Sequence, residues 1–167
     1  MSEVEVRRVG PDDWRVWRDV RLAALEDAPD IFPGELAPAQ RYNEADWRAR
    51  LDPYDGVWLL AEAPGGPVGQ AGAWMPFGPP PVLVGMWVRP DWRGRGVGDA
   101  LVAEVLDWAR EASFDRVDLW VLESNQPARH VYQRHGFVAT DQYLPSAYTP
   151  NQREVMMTRQ LGRGRRG

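Results

Sequence analysis

Residues 93–98, Arg-Gly-Arg-Gly-Val-Gly, join an apolar run, Val82 to Val88, to a long amphipathic stretch, Asp99 to Glu111. This order predicts a strand, a glycine-rich turn and a helix. Glycine lets the backbone adopt conformations that other residues resist, and it lets a ligand approach the main chain. The free N–H groups and the positive dipole end of the helix then favour a phosphate or pyrophosphate. This segment, which we call the glycine turn, is therefore predicted to bind a phosphorylated cofactor.

Two common phosphate-binding motifs do not fit the glycine turn. The phosphate-binding loop of nucleoside triphosphatases ends in Gly-Lys-Ser or Gly-Lys-Thr, whereas Gly96-Val97-Gly98 lacks the lysine and the chain contains none. The dinucleotide fingerprint spaces its glycines G-x-G-x-x-G, but Gly94, Gly96 and Gly98 alternate. A tight turn without a ligand is the alternative interpretation of the glycines alone.

A wider pattern around the glycine turn is more specific. Arg93-x-x-Gly96-x-Gly98, preceded by Val88-Arg89-Pro90, resembles the acyl-CoA-binding motif of the GNAT superfamily of N-acetyltransferases. The pattern of that family is Gln or Arg, two residues, Gly, one residue, then Gly or Ala.

A second motif lies further along the chain and resembles the next strand and helix of the same family. Its residues are Leu119-x-Val121, Asn125, Ala128, Tyr132 and Gly136-Phe137. The two motifs occur in the family's order and separation. The resemblance covers residues 82–137, and more loosely residues 4–161.

The resemblance implies a fold and an activity. The fold is α/β, with a mixed central sheet of about six to seven strands flanked by about four helices. The activity is that of an acetyl-CoA-dependent N-acetyltransferase, which moves an acetyl group to a primary amine by direct attack in a ternary complex. The chain has no cysteine, which excludes an acyl-enzyme on a thiol. Two alternatives stay open: a non-catalytic acyl-CoA-binding sensor or partner module, and a protein N-terminal or lysine acetyltransferase.

The resemblance also implies which residues bind coenzyme A. In the family, main-chain groups at the end of the strand pair with the pantetheine arm, and the glycine turn binds the diphosphate. The implied cofactor site comprises Trp87, Val88, Arg93, Gly94, Arg95, Gly96, Val97, Gly98, Asp99, Asn125 and Tyr132. For Asn125, the capping of a helix is an equally supported role.

Acyl transfer to an amine needs a proton acceptor and a proton donor. An alkyl amine with a pKa of about 10.4 is neutral in only about one molecule per thousand at pH 7, so a general base assists the reaction. The resemblance implies that Tyr132 is the acid that protonates the leaving thiolate, with a plain core ring as the alternative. The base stays open among Glu62, Glu123, Glu35 and Asp30, and some relatives use only water chains.

The acceptor is expected to be a small-molecule or peptide amine. Several aromatic residues are candidates either for an acceptor pocket or for the core. They are Trp74, Phe77, Trp87, Trp120, Tyr143 and Tyr148. Acidic residues near them would favour a cationic acceptor, but the sequence does not place any there.

Composition bounds the remaining possibilities. The 167 residues predict a single domain over residues 1–161, followed by a basic tail, 162–167, that is expected to be disordered. The net charge of −4 argues against nucleic acid as a partner, and no apolar run is long enough to cross a bilayer. The absence of cysteine and of a secretory signal predicts a cytoplasmic protein. We expect no metal, and the family resemblance suggests a homodimer.

Hydrophobic periodicity predicts the elements that position these residues. Strands are predicted over residues 4–6, 57–62, 68–74, 82–88, 117–122, 137–143 and 154–161. Helices are predicted over residues 11–26, 43–51, 99–111 and 127–135.

Overall fold

A computed structural model of the protein describes residues 3–29, 31–32, 34–146 and 149–162. The base candidate Asp30, the aromatic candidate Tyr148 and residues 163–167 of the basic tail lie outside these ranges.

The described residues form one sheet and a set of flanking helices. The strands are β1 (Glu5–Arg8), β2 (Gly56–Ala63), β3 (Gly66–Trp74), β4 (Val82–Val88), β5 (Arg116–Leu122), β6 (Val138–Pro145) and β7 (Arg153–Gln160). The α-helices are α1 (Trp14–Asp27), α2 (Leu36–Gln40), α3 (Glu44–Ala49), α4 (Val97–Glu111) and α5 (Gln126–Arg134). Two short 3-10 helices cover Pro11–Asp13 and Pro90–Trp92. No helix in this described part of the chain has the length and apolar character that crossing a membrane requires.

The seven strands form a mixed sheet in the order β1-β2-β3-β4-β5-β7-β6, which confirms the predicted architecture. Every neighbouring pair is antiparallel except β4 and β5. These two parallel strands pair only where Val82 faces Asp118 and Leu83 faces Leu119. Beyond Leu83 the two strands separate, and the sheet opens along the free edge of β4.

Alternation along the strands gives the sheet two apolar faces. One face packs against α4 and carries Leu59, Ala61 and Leu119. The other face, which we call the α1 face, packs against α1 and α3 and carries Leu60 and Trp87. A register in which Leu60 pairs with Gln70, and Gln70 with Trp87, places all three side chains on the α1 face.

Helix α4 is held firmly on the sheet. Its side chains Val97, Leu101, Val102 and Val105 are buried at helical spacing, and Leu101 is fully buried. Burying one such leucine contributes about 1.5–3 kcal/mol. This packing fixes the position of the helix N-terminus, where the glycine turn ends.

A bulge in β4 lies beside the opening in the sheet. The register between β3 and β4 shifts between Gln70 and Gly72, and Gly85 has a φ of +66°. The buried Gln70 donates from Nε2 to the carbonyl oxygen of Gly85 at 3.2 Å. A bulge bends the strand that carries it, so this feature directs β4 away from β5.

Candidate active site

The glycine turn adopts a conformation that requires glycine at two positions. Gly94 has a φ of +75°, and Gly96, the N-cap of α4, has a φ of +83°. A residue with a Cβ in this left-handed region costs about 1–2 kcal/mol. No atom of the described residues lies within 4 Å of a Cβ built at either position, so the backbone conformation and not the available space demands glycine there.

The main chain of the turn presents a row of free N–H groups. Within the described ranges, no acceptor faces the N–H groups of residues 94–96. Residues 97–99 form the first turn of α4, which has no intrahelical acceptor for its N–H groups, and no side chain caps it. Together with the positive end of the helix dipole, these donors fit a diphosphate.

Gly98 lies close to two neighbouring elements of the glycine turn. A Cβ at this position would lie 3.8 Å from Val131 of α5 and 4.0 Å from Val88 of β4. The turn therefore lies where β4, α4 and α5 meet.

The end of β4 offers main-chain groups to the opening. Arg89 donates its N–H to the carbonyl of Val68 on β3 at 2.8 Å. Because successive residues of a strand direct their polar groups to opposite sides, those of Val88 point towards the opening. The side chain of Trp87 is buried on the α1 face and donates from Nε1 to Asp27 at 2.9 Å. Trp87 thus packs beneath the free edge of β4, on the α1 face.

The two arginines of the turn are in contact with protein groups. Arg93 donates from Nη2 to Asp27 at 2.7 Å and from Nε to the carbonyl of Val88 at 3.0 Å. The guanidinium of Arg95 lies 4.7 Å from the ring centre of Trp92. With Arg93 engaged in this way, the main chain is the principal donor set of the turn.

The side chain of Asp99 links α4 to the end of α5. Its carboxylate lies 2.9 Å from both Arg134 Nη2 and His135 Nε2. The hydrogen bond from Arg134 is the main reason that the pKa of Asp99 is lowered. The carboxylate is therefore used within the protein, and the contribution of Asp99 to an anion site is its N–H group.

Tyr132 of α5 lies in the core beside α4. The residue is 6% exposed, and its ring packs edge-to-face on Phe137 with 6.0 Å between ring centres. Burial raises the pKa of Tyr132 to about 12. Its hydroxyl has no hydrogen-bond partner among the residues that the structure describes. The hydroxyl is thus protonated at neutral pH and available as a donor.

Asn125 caps α5. Its Oδ1 accepts the N–H of Ala128 at 3.3 Å. The capping role that the sequence left open is therefore present, and the cap fixes the start of the helix that carries Tyr132.

The three base candidates that the structure describes all form ion pairs. Glu62 lies 3.0 Å from Arg7, Glu123 lies 2.6 Å from Arg153, and Glu35 lies 2.5 Å from Arg21. The hydrogen bond from Arg153 lowers the pKa of Glu123. A carboxylate stabilised by a cation accepts a proton less readily, so these pairs weaken the case for each candidate.

A fourth carboxylate, Glu154 of β7, was missed by the sequence analysis. Its register partners are Leu122 and Leu144, and it forms no ion pair within the described ranges. Desolvation raises its pKa. Since Val155 and Met157 are buried against α4, Glu154 and Met156 lie on the α1 face. This alternation in the last strand was the signal that could have identified it.

The aromatic candidates that the structure describes are not gathered in one place. Phe77 is 97% exposed, which is too open for a pocket wall, and Trp87 is part of the core. Trp120 is half-buried and pairs in register with Met156 on the α1 face. Tyr143 pairs with Val155 and so lies on the opposite face, which leaves Trp120 as the candidate nearest to Glu154 on the α1 face.

A shallow surface depression of about 380 Å³ lies elsewhere, between α4 and the end of α5. Its lining includes Arg110, Arg134 and Arg159, but neither Tyr132 nor any residue of the glycine turn. This depression therefore contains none of the site residues predicted from the sequence.

Comparison with known proteins decides the family. The model of the acetyltransferase (GNAT) family matches residues 17–137. The chain belongs to the GNAT family of acetyltransferases. The match contains both the glycine turn and Tyr132, so the motifs noted in the sequence belong to this family.

Named relatives differ in length and in acceptor. The mycothiol acetyltransferase of Thermobifida fusca is 28% identical over 165 residues, an alignment that covers 91% of this chain and 49% of that protein. The chain thus spans about half of that relative. The L-amino acid N-acetyltransferase AaaT of Escherichia coli is 28% identical over 145 residues, covering 82% of this chain and 84% of that protein.

A solved structure shares the fold. The structure of yncA from Salmonella typhimurium with its cofactor acetyl-CoA has a TM-score of 0.76, with 18% identity, and the match covers 96% of this chain and 95% of that chain. The GNAT family uses acetyl-CoA, and the free N–H groups of the glycine turn fit such a ligand.

Proposed function

We propose that the protein is an acetyl-CoA-dependent N-acetyltransferase that acetylates a primary amine by direct attack in a ternary complex. One observation carries the proposal: the row of free main-chain N–H groups at residues 94–99, next to the opened edge of β4. The family match supports it.

Acetyl-CoA is assigned to main-chain groups. The N–H groups of residues 94–99 hold the diphosphate, and the edge at Val88 holds the pantetheine arm. Bound acetyl-CoA supplies a thioester whose acetyl carbon forms the amide bond as its carbon–sulfur bond breaks. The side chains of Arg93 and Asp99 contribute indirectly. That of Arg93 fixes the glycine turn, and that of Asp99 fixes α4, the helix that follows the turn.

Tyr132 is assigned the proton that the leaving thiolate takes up. Its raised pKa keeps the hydroxyl protonated, and the helix that carries it reaches the glycine turn, since Val131 of α5 lies 3.8 Å from a Cβ built at Gly98. Among the described residues, the hydroxyl has no partner to give up before it donates.

Glu154 is assigned the proton that the amine loses. Unlike Glu62 and Glu123, it has no arginine partner in the part of the chain that the structure describes, and desolvation raises its pKa. A base with a raised pKa accepts a proton more readily near neutral pH. Glu62 and Glu123 stay in the proposal as alternatives to be tested beside it.

The acceptor is assigned to the α1 face of the opening. The opposite face is filled by α4 and its buried side chains, so an amine reaches the edge of β4 from the side of α1, Trp120 and Glu154. A small-molecule amine is favoured, since the relatives include enzymes named for L-amino acids and for mycothiol.

A panel of primary amines with acetyl-CoA tests the proposal by release of free thiol. We expect thiol release that depends on the amine, and an N-acetylated product by mass spectrometry. If acetyl-CoA binds but no small amine or peptide stimulates the release of free thiol, the result would instead support a non-catalytic acyl-CoA-binding module.

A further inference from the structure

Arg21 of α1 lies beside the β4 bulge, on the α1 face, where the amine acceptor is proposed to bind. Its guanidinium Nη1 is 3.5 Å from the position that a Cβ would take at Gly85. Glu35 accepts a hydrogen bond from Arg21 Nη2 at 2.5 Å, and the guanidinium lies 4.6 Å from the ring centre of Phe32. The cation is thus held in one place, at the point where β4 leaves β5.

Most of the donors of Arg21 have no acceptor in the described part of the chain. A guanidinium carries five N–H donors and stays charged in proteins. Glu35 takes a bond from Nη2, and within the described ranges neither Nη1 nor Nε has an acceptor. The side chain is only 20% exposed. A desolvated cation with unused donors favours an anion that approaches from the opening.

A second cation reinforces this charge. The guanidinium of Arg50 lies 4.1 Å from the ring centre of Tyr42, and its charge is close enough to help lower the pKa of Arg21, although burial of Arg21 is the larger cause. Arg50 has no carboxylate partner among the described residues. Among the described residues, the two guanidinium groups are balanced by one carboxylate, Glu35, which leaves this wall of the opening positive.

The hydrogen-bond acceptor of the bulge is already used and does not offset the positive charge of Arg21. The carbonyl of Gly85 already accepts a bond from Gln70 Nε2. Asp27, the next acid along α1, is bound to Arg93 and Trp87. Among the described residues, Glu35 is the one carboxylate that contacts either guanidinium, so this wall does not favour a purely cationic acceptor.

We infer that Arg21 determines acceptor specificity by pairing with a carboxylate of the acceptor, so that the substrate class is amines that also carry a carboxylate, such as amino acids. This inference rests on the proposed N-acetyltransferase function. A carboxylate matches the planar fork of a guanidinium, whereas the same amine without the carboxylate leaves the remaining donors of Arg21 unpaired.

Matched acceptors test the inference. We compare phenylalanine with 2-phenylethylamine, and methionine with 3-(methylthio)propylamine, as acetyl acceptors of the wild-type protein. The carboxylate-bearing member of each pair is expected to have a kcat/KM at least about tenfold higher, as for sites that hydrogen-bond a substrate group.

Variants then separate specificity from folding. Arg21→Gln is expected to raise KM for phenylalanine by about tenfold with little change in kcat, and to leave KM for 2-phenylethylamine unchanged. Arg21→Lys should raise KM for phenylalanine by a smaller factor. Glu35→Gln frees further donors of Arg21 and should lower KM for phenylalanine. Arg18→Gln removes the same charge from an exposed position of the same helix and is the control. Circular dichroism confirms folding of each variant.

Two results would overturn the inference. The first is equal kcat/KM for both members of each pair; the second is an Arg21→Gln defect that is the same for both members, which would make Arg21 structural. If no amine is acetylated, the proposed function fails instead, and direct binding decides about Arg21. Calorimetry must then show tighter binding of phenylalanine than of 2-phenylethylamine to the wild-type protein, and loss of that preference in Arg21→Gln.

Discussion

Asp27 at the end of α1 forms an ion pair of 2.7 Å with Arg93 at the start of the glycine turn, although 66 residues separate them in sequence. The same Oδ2 atom accepts a bond from Trp87 Nε1 at 2.9 Å. Arg93 in turn donates to the carbonyl of Val88. One carboxylate therefore joins the helix that carries Arg21 to both the edge of β4 and the turn that is assigned to the cofactor.

Removal of this carboxylate should loosen the turn. In Asp27→Ala the buried Trp87 N–H loses its partner, which costs about 1–3 kcal/mol, and Arg93 loses its ion pair. We expect a lower free energy of unfolding in urea and a several-fold higher Kd for acetyl-CoA. Asp19→Ala, which removes an exposed acid of the same helix, is the control. An Asp27→Ala protein with wild-type affinity and stability would show that the pair has no such role.

The glycines of the turn should differ in their tolerance of alanine. Gly96→Ala places a Cβ at a φ of +83°, at a cost of about 1–2 kcal/mol, and should weaken acetyl-CoA binding because the N–H groups lose their alignment. Gly98→Ala meets only ordinary contacts at 3.8 and 4.0 Å and should keep its affinity. Calorimetric titration of both variants measures the difference. Equal losses at the two positions would argue against a conformational requirement at Gly96.

Tyr132→Phe should separate chemistry from binding. Loss of a general acid lowers turnover by about 10²–10⁴-fold, whereas the ring packing on Phe137 is retained. We expect a fall in kcat with an unchanged Kd for coenzyme A. Unchanged turnover in this variant would remove Tyr132 from the mechanism.

The same variant should change the alkaline stability of the protein. The pKa of Tyr132 is raised to about 12 in the folded state, above its ordinary value of about 10. The unfolded chain therefore ionises first, and the wild type loses about 2 kcal/mol between pH 10 and pH 12 from this group. When the free energy of unfolding is followed across this pH range, Tyr132→Phe should lack that part of the loss. Tyr54→Phe, which changes an exposed tyrosine, is the control.

Glu154→Gln should reduce turnover by about 10²-fold or more, while Glu5→Gln, at an exposed position of β1, should not. Since the pKa of Glu154 is raised, the folded state disfavours the charged form. The wild type therefore loses stability as the pH rises above the ordinary glutamate pKa, and Glu154→Gln should gain stability relative to it at neutral pH but not in acid. A larger loss of turnover in Glu62→Gln or Glu123→Gln would move the base to that residue.

Local sequence signals were sufficient for most of the fold. The strand Val82–Val88 is found with the predicted bounds, because an apolar run is limited by Pro81 and by Arg89-Pro90. The helix predicted from residue 43 is found as α3, and Asn43 caps its start, since its Oδ1 accepts the N–H of Asp46 at 2.9 Å. The five-residue helix α2 was not predicted, because Pro38 and the turn residues before it hide its short apolar pattern.

The candidate site could be predicted only in part. The glycine turn is encoded by consecutive residues, so its shape follows from the sequence. The partners of Arg93 and Asp99 lie 66 and 35 residues away, and no local pattern indicates them. The bulge at Gly85 lies inside an apolar run that favours a regular strand, and the positive wall at Arg21 exists only because α1 crosses that bulge.

Calorimetric titration of coenzyme A and acetyl-CoA into the wild-type protein tests the central assignment most directly. The assignment of residues 94–99 to the diphosphate predicts one coenzyme molecule per chain with a Kd in the micromolar range, about 1–100 μM, and a much weaker response from pantetheine, which lacks the diphosphate. Absence of binding at about 1 mM, or equal affinity for pantetheine and coenzyme A, would contradict it.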